Sequence, residues 1–435
     1  MQLPEDFIRE TRQVMGEERF NRFLGAFDEE APTSIRLNPR FARSVACGVM
    51  SENTTVPWCP EGYYLKGRPQ FTFDPLFHAG CYYVQEASSM FITHVLRSFL
   101  TPHSTLLTPR ITHHSTLLTP RNALDLCAAP GGKSTAMRSV LPEGSLLVSN
   151  EPIPTRAQIL LENITKWGWE DCIVTNNYPR DFRKAKVKFD VILCDVPCSG
   201  EGMFRKDPAT ISEWSLQNVE KCWRLQREIV ADAWECLNPG GLLIYSTCTF
   251  NIKENEENVR WIMDTYDAEA LDIPIDPSWN ITGSLLPGFN APVYRFIPGI
   301  TRGEGLFLCA LRKSPRKEDG GWRKEKSPRK ENTLTKETLA KNKFIKIMDT
   351  GNLLPPSSIL LPRIDLSYFE ALKYLRGEAL VLPADSPRGM VTITYRGIPL
   401  GPAKNIGNRA NNLYPKPWRI KTTHLPSEEV KIIDI

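Results

Sequence analysis

From residue 123 to 248 the chain alternates short apolar runs with helix-like segments, and this alternation limits the possible fold more than any other feature. ALDLC (123–127) reads as a buried strand, followed by a glycine turn and the helix-like KSTAMRSVL. SLLVSNE, CIVTN, FDVILCD and GGLLIYSTC are further strand-like runs, separated by the helix-like TRAQILLENITKWG and LQREIVADAWECL. Strands alternating with helices predict an α/β, doubly wound, mostly parallel sheet that holds its ligand at the carboxyl ends of the strands. The chemically interesting residues of this region all fall at such ends.

The flanks are of a different kind. EDFIRETRQVMGEERFNRFLGAF carries apolar residues at spacings suited to amphipathic helices, SIRLNP (34–39) alternates like a short strand, and an aromatic, turn-rich stretch follows through GYYLKGRPQFTFDPLF. VQEASSMFITHVLRSFL returns to helical periodicity. The octapeptide HSTLLTPR then occurs twice within 101–122, where its prolines and threonines predict a surface loop. Residues 314–340 repeat SPRKE, are strongly basic and poor in apolar residues, and read as an interdomain linker that is also able to touch phosphates. Residues 341–435 form a last unit: helix-like IDLSYFEALKYLRG, strand-like EALVLP and GMVTITYRGIPLG, and an aromatic and basic tail, NNLYPKPWRIK. This fits a small α+β or β-barrel module. At 435 residues and 41% hydrophobic, the chain has material for two or three cores.

A formal net charge of +4 gives no whole-chain argument for a polyanion partner, so any such argument must be local. The N-terminus has no apolar signal core, and no run approaches the roughly 18 residues of a membrane helix, so a cytoplasmic protein is expected, with no membrane partner. The eleven cysteines form no CxxC pair, which argues against structural zinc and predicts no metal. Cys47, Cys59, Cys81, Cys172, Cys222, Cys236 and Cys309 are expected to be buried thiols. No histidine lies between 123 and 313, so none serves that region as base or ligand.

GGKS followed by an apolar strand ending in aspartate imitates a phosphate loop with its magnesium aspartate. That loop requires a glycine five residues before Gly132, and Cys127 stands there. A GxGxxG fingerprint is also absent after the first strand. What remains is a small-residue turn and, about twenty positions on, Glu151 at the end of the second strand, where a carboxylate accepts hydrogen bonds from ribose hydroxyls. A nucleoside ligand without phosphate is favoured, and S-adenosylmethionine is the candidate. Two further residues suit one methyl acceptor. Carbon 5 of cytosine is a poor nucleophile until a thiolate adds to carbon 6, and the adduct must afterwards be resolved. Cys198, in FDVILCDVPCSGEG, and Cys248, in YSTCTF, both stand at strand ends, and Asp195 can meet the cytosine ring nitrogen and exocyclic amine.

CAAPGGKS, DVPCSGEGMFRKDP, STCTFNIKENEENV and GEGLFLCALRK together resemble the motifs of the RNA 5-methylcytosine methyltransferases of the Sun/Nop family, of the bacterial RsmF type. SIRLNP and YYVQEASS match the segment that precedes the catalytic domain there. The resemblance implies a Rossmann-like catalytic domain at 123–313, an N-terminal α+β RNA-binding region at 1–100 and a PUA-like RNA-binding module at 341–435. It implies Cys248 as the nucleophile on carbon 6 and Cys198 as the residue assisting release. Cys127, Ala128, Ala129, Pro130, Gly131, Gly132, Lys133, Glu151 and Asp195 bind S-adenosylmethionine on this reading, with Lys133 facing the active site. Where the family commonly has an aspartate near the adenine this chain has Tyr178, and Asn177 is expected to supply an amide instead. A flipped cytosine needs contacts elsewhere. Arg36, Arg205, Lys206, Tyr414, Lys416, Trp418 and Arg419 are the candidates for RNA contact, with ribosomal RNA as the expected partner, transfer RNA as the other substrate, and the enzyme a monomer. A noncatalytic RNA-binding or ribosome-assembly factor of the same fold is the alternative from another class, and a phosphate-loop nucleotide binder is the third.

Overall fold

The computed structural model describes residues 2–41, 55–100, 120–315, 334–349, 361–422 and 424–433. Most of the duplicated insertion (101–119) and of the basic linker (316–333), and Cys47, lie outside the described residues. The chain divides into two compact units. The first comprises Met1–Pro32, Glu86–Ala157 and Asp171–Met348; the second comprises Thr33–Gln85, Gln158–Glu170 and Asp349–Ile435.

Two amphipathic helices, α1 (Glu5–Met15) and α2 (Glu17–Gly25), begin the first unit. Their apolar stripes bury Phe7, Phe20 and Phe23, and the Phe7 ring meets Trp214 edge-on at 5.5 Å. In the second unit, β1 (Ser34–Leu37), β2 (Thr55–Val56), β3 (Cys59–Tyr64), the single turn α3 (Pro75–His78) and β4 (Tyr82–Val84) follow. The four strands pair antiparallel in the order β2-β3-β1-β4. Asp74 starts α3 by accepting the Leu76 N–H at 2.9 Å, while its other oxygen accepts the Tyr82 hydroxyl at 2.8 Å. Helix α4 (Phe91–Phe99) realises the helical periodicity read in VQEASSMFITHVLRSFL, but only from Phe91 onward, after a tight turn at Ser88–Met90.

The main sheet follows in the first unit. Its elements are β5 (Asn122–Asp125), α5 (Gly132–Arg138), β6 (Leu146–Asn150), α6 (Pro154–Trp167), whose last ten residues belong to the second unit, β7 (Cys172–Thr175), α7 (Pro179–Ala185), β8 (Phe189–Asp195), α8 (Ala209–Glu213), α9 (Leu216–Cys236) and β9 (Leu237–Thr247). α10 (Glu256–Thr265), β10 (Ala268–Ala270), β11 (Tyr294–Phe296) and β12 (Leu306–Lys313) complete it. The strand order is β10-β12-β9-β8-β5-β6-β7, with β11 pairing β12. Strands β5 to β9 are mutually parallel, and β10 to β12 are antiparallel. Val191 to Cys194 of β8 are wholly buried, as expected of a central parallel strand covered on both faces. The order reverses about β5, with β6 and β7 to one side and β8 and β9 to the other, which opens a crevice at the carboxyl ends.

After α11 (Lys336–Ala340) the chain lies along the free edge of β7. Ile347 bridges Thr175, the Asn176 N–H donates to the Lys346 carbonyl at 3.0 Å, and the Met348 N–H donates to the Val174 carbonyl at 2.8 Å. The second unit ends in β13 (Arg363–Asp365), α12 (Tyr368–Arg376), β14 (Gly389–Tyr395), β15 (Ile398–Asn405) and β16 (Ala410–Asn412), a sheet in sequence order with β13 parallel to β14. Its core joins Leu372, Tyr374 and Ile393 to Ile35, Leu76 and Tyr82 of the preceding strands and turn. EALVLP, expected as a strand, is not one. Leu380 alone bridges Ala410, and Val381 is 81% exposed, so strand-like residues without a ladder partner stay irregular.

Candidate active site

The crevice at the carboxyl ends collects residues from five segments. β5 runs into the turn Cys127–Gly131, in which Gly131 takes φ 115°, a conformation that favours glycine. Asn150, at the end of β6, pins the floor. Its amide nitrogen donates to the Leu126 and Asn177 carbonyls at 3.0 and 2.9 Å, and its oxygen accepts the Thr175 hydroxyl and the Asn177 N–H. Glu151 follows at 1% exposure. One carboxylate oxygen accepts the Ile153 N–H at 3.0 Å; the other has no hydrogen-bond partner among the described residues and only the charge of Arg156 at 3.4 Å. A buried carboxylate oxygen left wanting a donor, beside a turn with no side chain at Gly131, fits the hydroxyl-bearing ribose of S-adenosylmethionine.

Asp195 ends β8. It accepts the Lys133 ammonium at 2.9 Å on one oxygen and the Ser246 hydroxyl at 2.6 Å on the other. Burial alone depresses the Lys133 pKa, but the Asp195 carboxylate outweighs it and, with Cys248, holds the ammonium above its ordinary range. Asp125, wholly buried beneath, is pushed up to about 7 by burial, against the Ser134 hydroxyl that donates to it at 2.6 Å, and with Asp195 pushing further up. Past these ends the two loops converge, and Cys198 Sγ lies 3.3 Å from Cys248 Sγ. The hydrogen bond with Cys248, then burial and the charge of Cys248, raise Cys198 well above the usual thiol range.

What fixes the sulfurs is a buried polar lattice behind them. Gly202 N–H donates to the Cys248 carbonyl at 2.7 Å, and the Ser199 and Thr249 hydroxyls meet at 2.9 Å. Glu201 accepts the Phe250 and Asn251 N–H groups, the Asn251 amide and the Trp214 indole N–H. Glu254 accepts the Ser199 N–H, the Gln226 amide and the Asn251 amide. Burial, followed by the charge of Glu201, pushes Glu254 up to about 7 against those three donors. Asn255 holds both the Thr247 hydroxyl and the Thr249 carbonyl. In the sequence, the signal for this lattice is the density of charged and amide residues around the two cysteines, in CSGEG and TCTFNIKENEEN.

Other expectations change. The Asn177 amide is engaged within the fold, donating to the Phe344 carbonyl at 2.8 Å and accepting the Lys346 N–H at 3.0 Å, and so clasps the chain beside β7. Tyr178 stands 56% exposed. Arg36 is buried in the second unit, donating to Gln85 at 2.8 Å and stacked 4.6 Å from the Trp167 ring, so it is not a surface contact. Arg205 is consumed by Glu304 at 2.6 Å and the Ala26 carbonyl at 2.5 Å. Tyr414 is buried and Trp418 half-buried against the second unit's core, whereas Lys206 and Lys416 are exposed and Arg419 partly so. The expected buried thiols Cys59, Cys81, Cys222, Cys236 and Cys309 are buried, and Cys172 is partly so. None of the described helices is long and apolar enough to cross a membrane.

Comparison with known proteins gives the same architecture. Residues 115–312 match the family model described as 16S rRNA methyltransferase RsmB/F. Residues 3–87 match the N-terminal domain of 16S rRNA methyltransferase RsmF, and 361–420 match the methyltransferase RsmF PUA domain. Ribosomal RNA small subunit methyltransferase F of Shigella flexneri serotype 5b is 28% identical over 95% of this chain and 96% of its own. The protein of the same name from an Enterobacter species is 27% identical over 95% of each chain. A solved methyltransferase homologue from Pyrococcus horikoshii has TM-score 0.54 and 25% identity, covering 71% of this chain and 95% of its own. NSun6 from the same organism, solved with SFG, has TM-score 0.54 and 19% identity over 72% and 99%, which supports the fold. With the sheet, the crevice and both flanking segments matched in order, this chain belongs to the S-adenosylmethionine-dependent RsmB/F methyltransferase family.

Proposed function

We propose that this chain methylates carbon 5 of a cytosine in ribosomal RNA, with Cys248 as the nucleophile. The observation that carries the reading is the 3.3 Å approach of Cys198 and Cys248 at the carboxyl ends of adjacent strands, beside the Lys133–Asp195 pair. Cys248 adds through sulfur to carbon 6, and the electron pair of the broken double bond makes carbon 5 nucleophilic. Asp195 accepts from the exocyclic amine of cytosine through lone pairs not used by Lys133 and Ser246, and so orients the ring. Glu151 and residues 127–133 would hold S-adenosylmethionine, whose sulfonium chemistry when bound is to give its methyl group to carbon 5 and leave as the thioether S-adenosylhomocysteine. Cys198, in contact with Cys248 and acting as thiolate, then accepts the carbon 5 proton; the C–H electron pair re-forms the ring double bond, the carbon–sulfur bond breaks, and Cys248 leaves as thiolate.

Residues 123–313 are the catalytic domain on this reading. Residues 1–100 and the PUA-like module at 341–435 contribute RNA contacts that offset the few kcal/mol needed to unstack the target base. The chain that leaves residue 313 runs along β7 as far as Met348 before it leads into that module, and the setting is the cytoplasm. Incubation with labelled cofactor and RNA tests the assignment. Cys248→Ala should transfer no methyl, and Cys198→Ala should accumulate a covalent RNA adduct visible on denaturing gels. A Cys248→Ala enzyme that forms product at the normal rate overturns it.

A further inference from the structure

The second unit carries a groove of about 1020 Å³, lined mainly by Arg68–Phe73, Phe77 and His78 on one side and by Arg419–Thr422 and His424–Pro426 on the other. Among the described residues no aspartate or glutamate lines it, whereas Arg68, Arg419 and Lys421 do. Arg68 and Lys421 are exposed and make no ion pair with any described residue. Arg419 is held in place through two N–H groups on the Tyr414 carbonyl, at 3.4 and 3.3 Å. Gly377 makes room for it, since a Cβ there would stand 2.3 Å from the guanidinium carbon. Phe73 and Phe77, both partly exposed, give the groove aromatic surface, while Phe71 packs into the core beneath, with the Arg68 guanidinium 5.9 Å from its ring.

His78, also in the groove lining, is held from within the fold. His78 is 7% exposed and its Nε2 lies 2.8 Å from the Thr72 carbonyl, which only accepts, so Nε2 carries the proton. Nδ1 is then a bare acceptor, and it has no partner among the described residues. Cations without acids, interleaved with aromatic rings, suit a single-stranded polyanion carrying bases: phosphates meet the cations and bases stack on the rings.

We propose that this groove binds a single-stranded segment of the RNA substrate, with Arg68, Arg419 and Lys421 on its phosphates and the Phe73 and Phe77 rings under its bases. The proposal rests on the RNA-directed activity above. The test is RNA affinity of the full chain measured across salt concentrations, for wild type, for Arg68→Gln with Lys421→Gln, and for a control, Lys184→Gln with Lys221→Gln, of equal charge change. Each lost phosphate contact should flatten the salt dependence by about 0.7, so the groove variant should lose a slope of about 1.4 and bind about 25-fold more weakly at about 0.1 M salt. The control should match wild type, and all three should melt alike. A wild type that binds RNA and transfers methyl, beside a groove variant with unchanged affinity and slope, overturns the groove alone. Loss of poly-glutamate binding with RNA binding intact assigns the groove to an acidic protein and also overturns it. A wild type that neither binds nor methylates RNA overturns the functional reading and the groove together.

Discussion

Replacing Gly202 with alanine puts a methyl group where three main-chain atoms already stand. The new Cβ would lie 2.6 Å from the Cys248 carbonyl oxygen and 3.0 Å from both the Cα and the carbonyl oxygen of Gly305. None of these belongs to a side chain that can rotate away, and the 2.7 Å hydrogen bond from Gly202 N–H to the Cys248 carbonyl holds the loops together at that point. Relief requires the Cys248 loop to move by several tenths of an ångström or more. Overpacking of this kind costs about 1–3 kcal/mol. For a unit of this size that lowers the melting temperature by about 2–12 °C. The rate should suffer more, because a reacting group displaced by about 1 Å loses on the order of 100-fold. Gly200 in the same motif is the control. It has φ 77° and nothing within 4 Å of its added Cβ, so alanine there meets backbone strain of about 1–2 kcal/mol and displaces no cysteine. Thermal unfolding and single-turnover methyl transfer on both variants separate the effects. Equal rate losses, or a Gly202→Ala enzyme with wild-type rate and melting temperature, would refute the claim that backbone contact positions Cys248.

Arg295 and Glu256 form a buried pair, with Arg295 also donating to the Phe250 carbonyl at 2.8 Å. Arg295→Met should cost about 3–5 kcal/mol in denaturant unfolding by stranding Glu256, and adding Glu256→Leu should restore at least half of that loss. Glu254, moved from its ordinary 4.5 up to about 7, favours folding most at low pH, and that contribution is lost as pH rises through 7. Stability should therefore fall by up to about 3 kcal/mol between pH 5 and 8 on this account, and Glu254→Gln should flatten the decline when unfolding is followed at each pH. Asn177→Ala removes two hydrogen bonds to the chain beside β7; at about 1 kcal/mol each, amide exchange at Lys346 should accelerate on the order of 30-fold.

The parallel half of the main sheet was legible because period and spacing suffice for it: a strand that must be buried on both faces can hardly be written except as FDVILCD or GGLLIYST. The antiparallel half was not, since the apolar run in GEGLFLCALRK shows burial but neither partner nor direction, and β12 finds both in β9, about sixty residues earlier in the chain. Cys198 and Cys248 could be picked out because the fold rule puts strand ends in the crevice. Glu201, Asn251 and Glu254 could not, since their partners lie across loops some fifty residues apart and become visible only when the donors are counted. Arg36 and Arg205 were misread for a related reason. A sequence shows a charge, but not the Gln85, Trp167 or Glu304 that takes it up.

The role of Cys248 is open to a direct chemical test. RNA in which fluorine replaces hydrogen at carbon 5 of cytosine cannot lose that substituent as a proton, so the enzyme should stall while still bonded to its substrate. After nuclease and protease digestion, mass spectrometry of the stalled complex should find the nucleotide and its added methyl group on the peptide carrying Cys248, with the Cys198 peptide unmodified. A nucleotide on Cys198, or a methylated product released with no protein-bound species, would contradict the central claim.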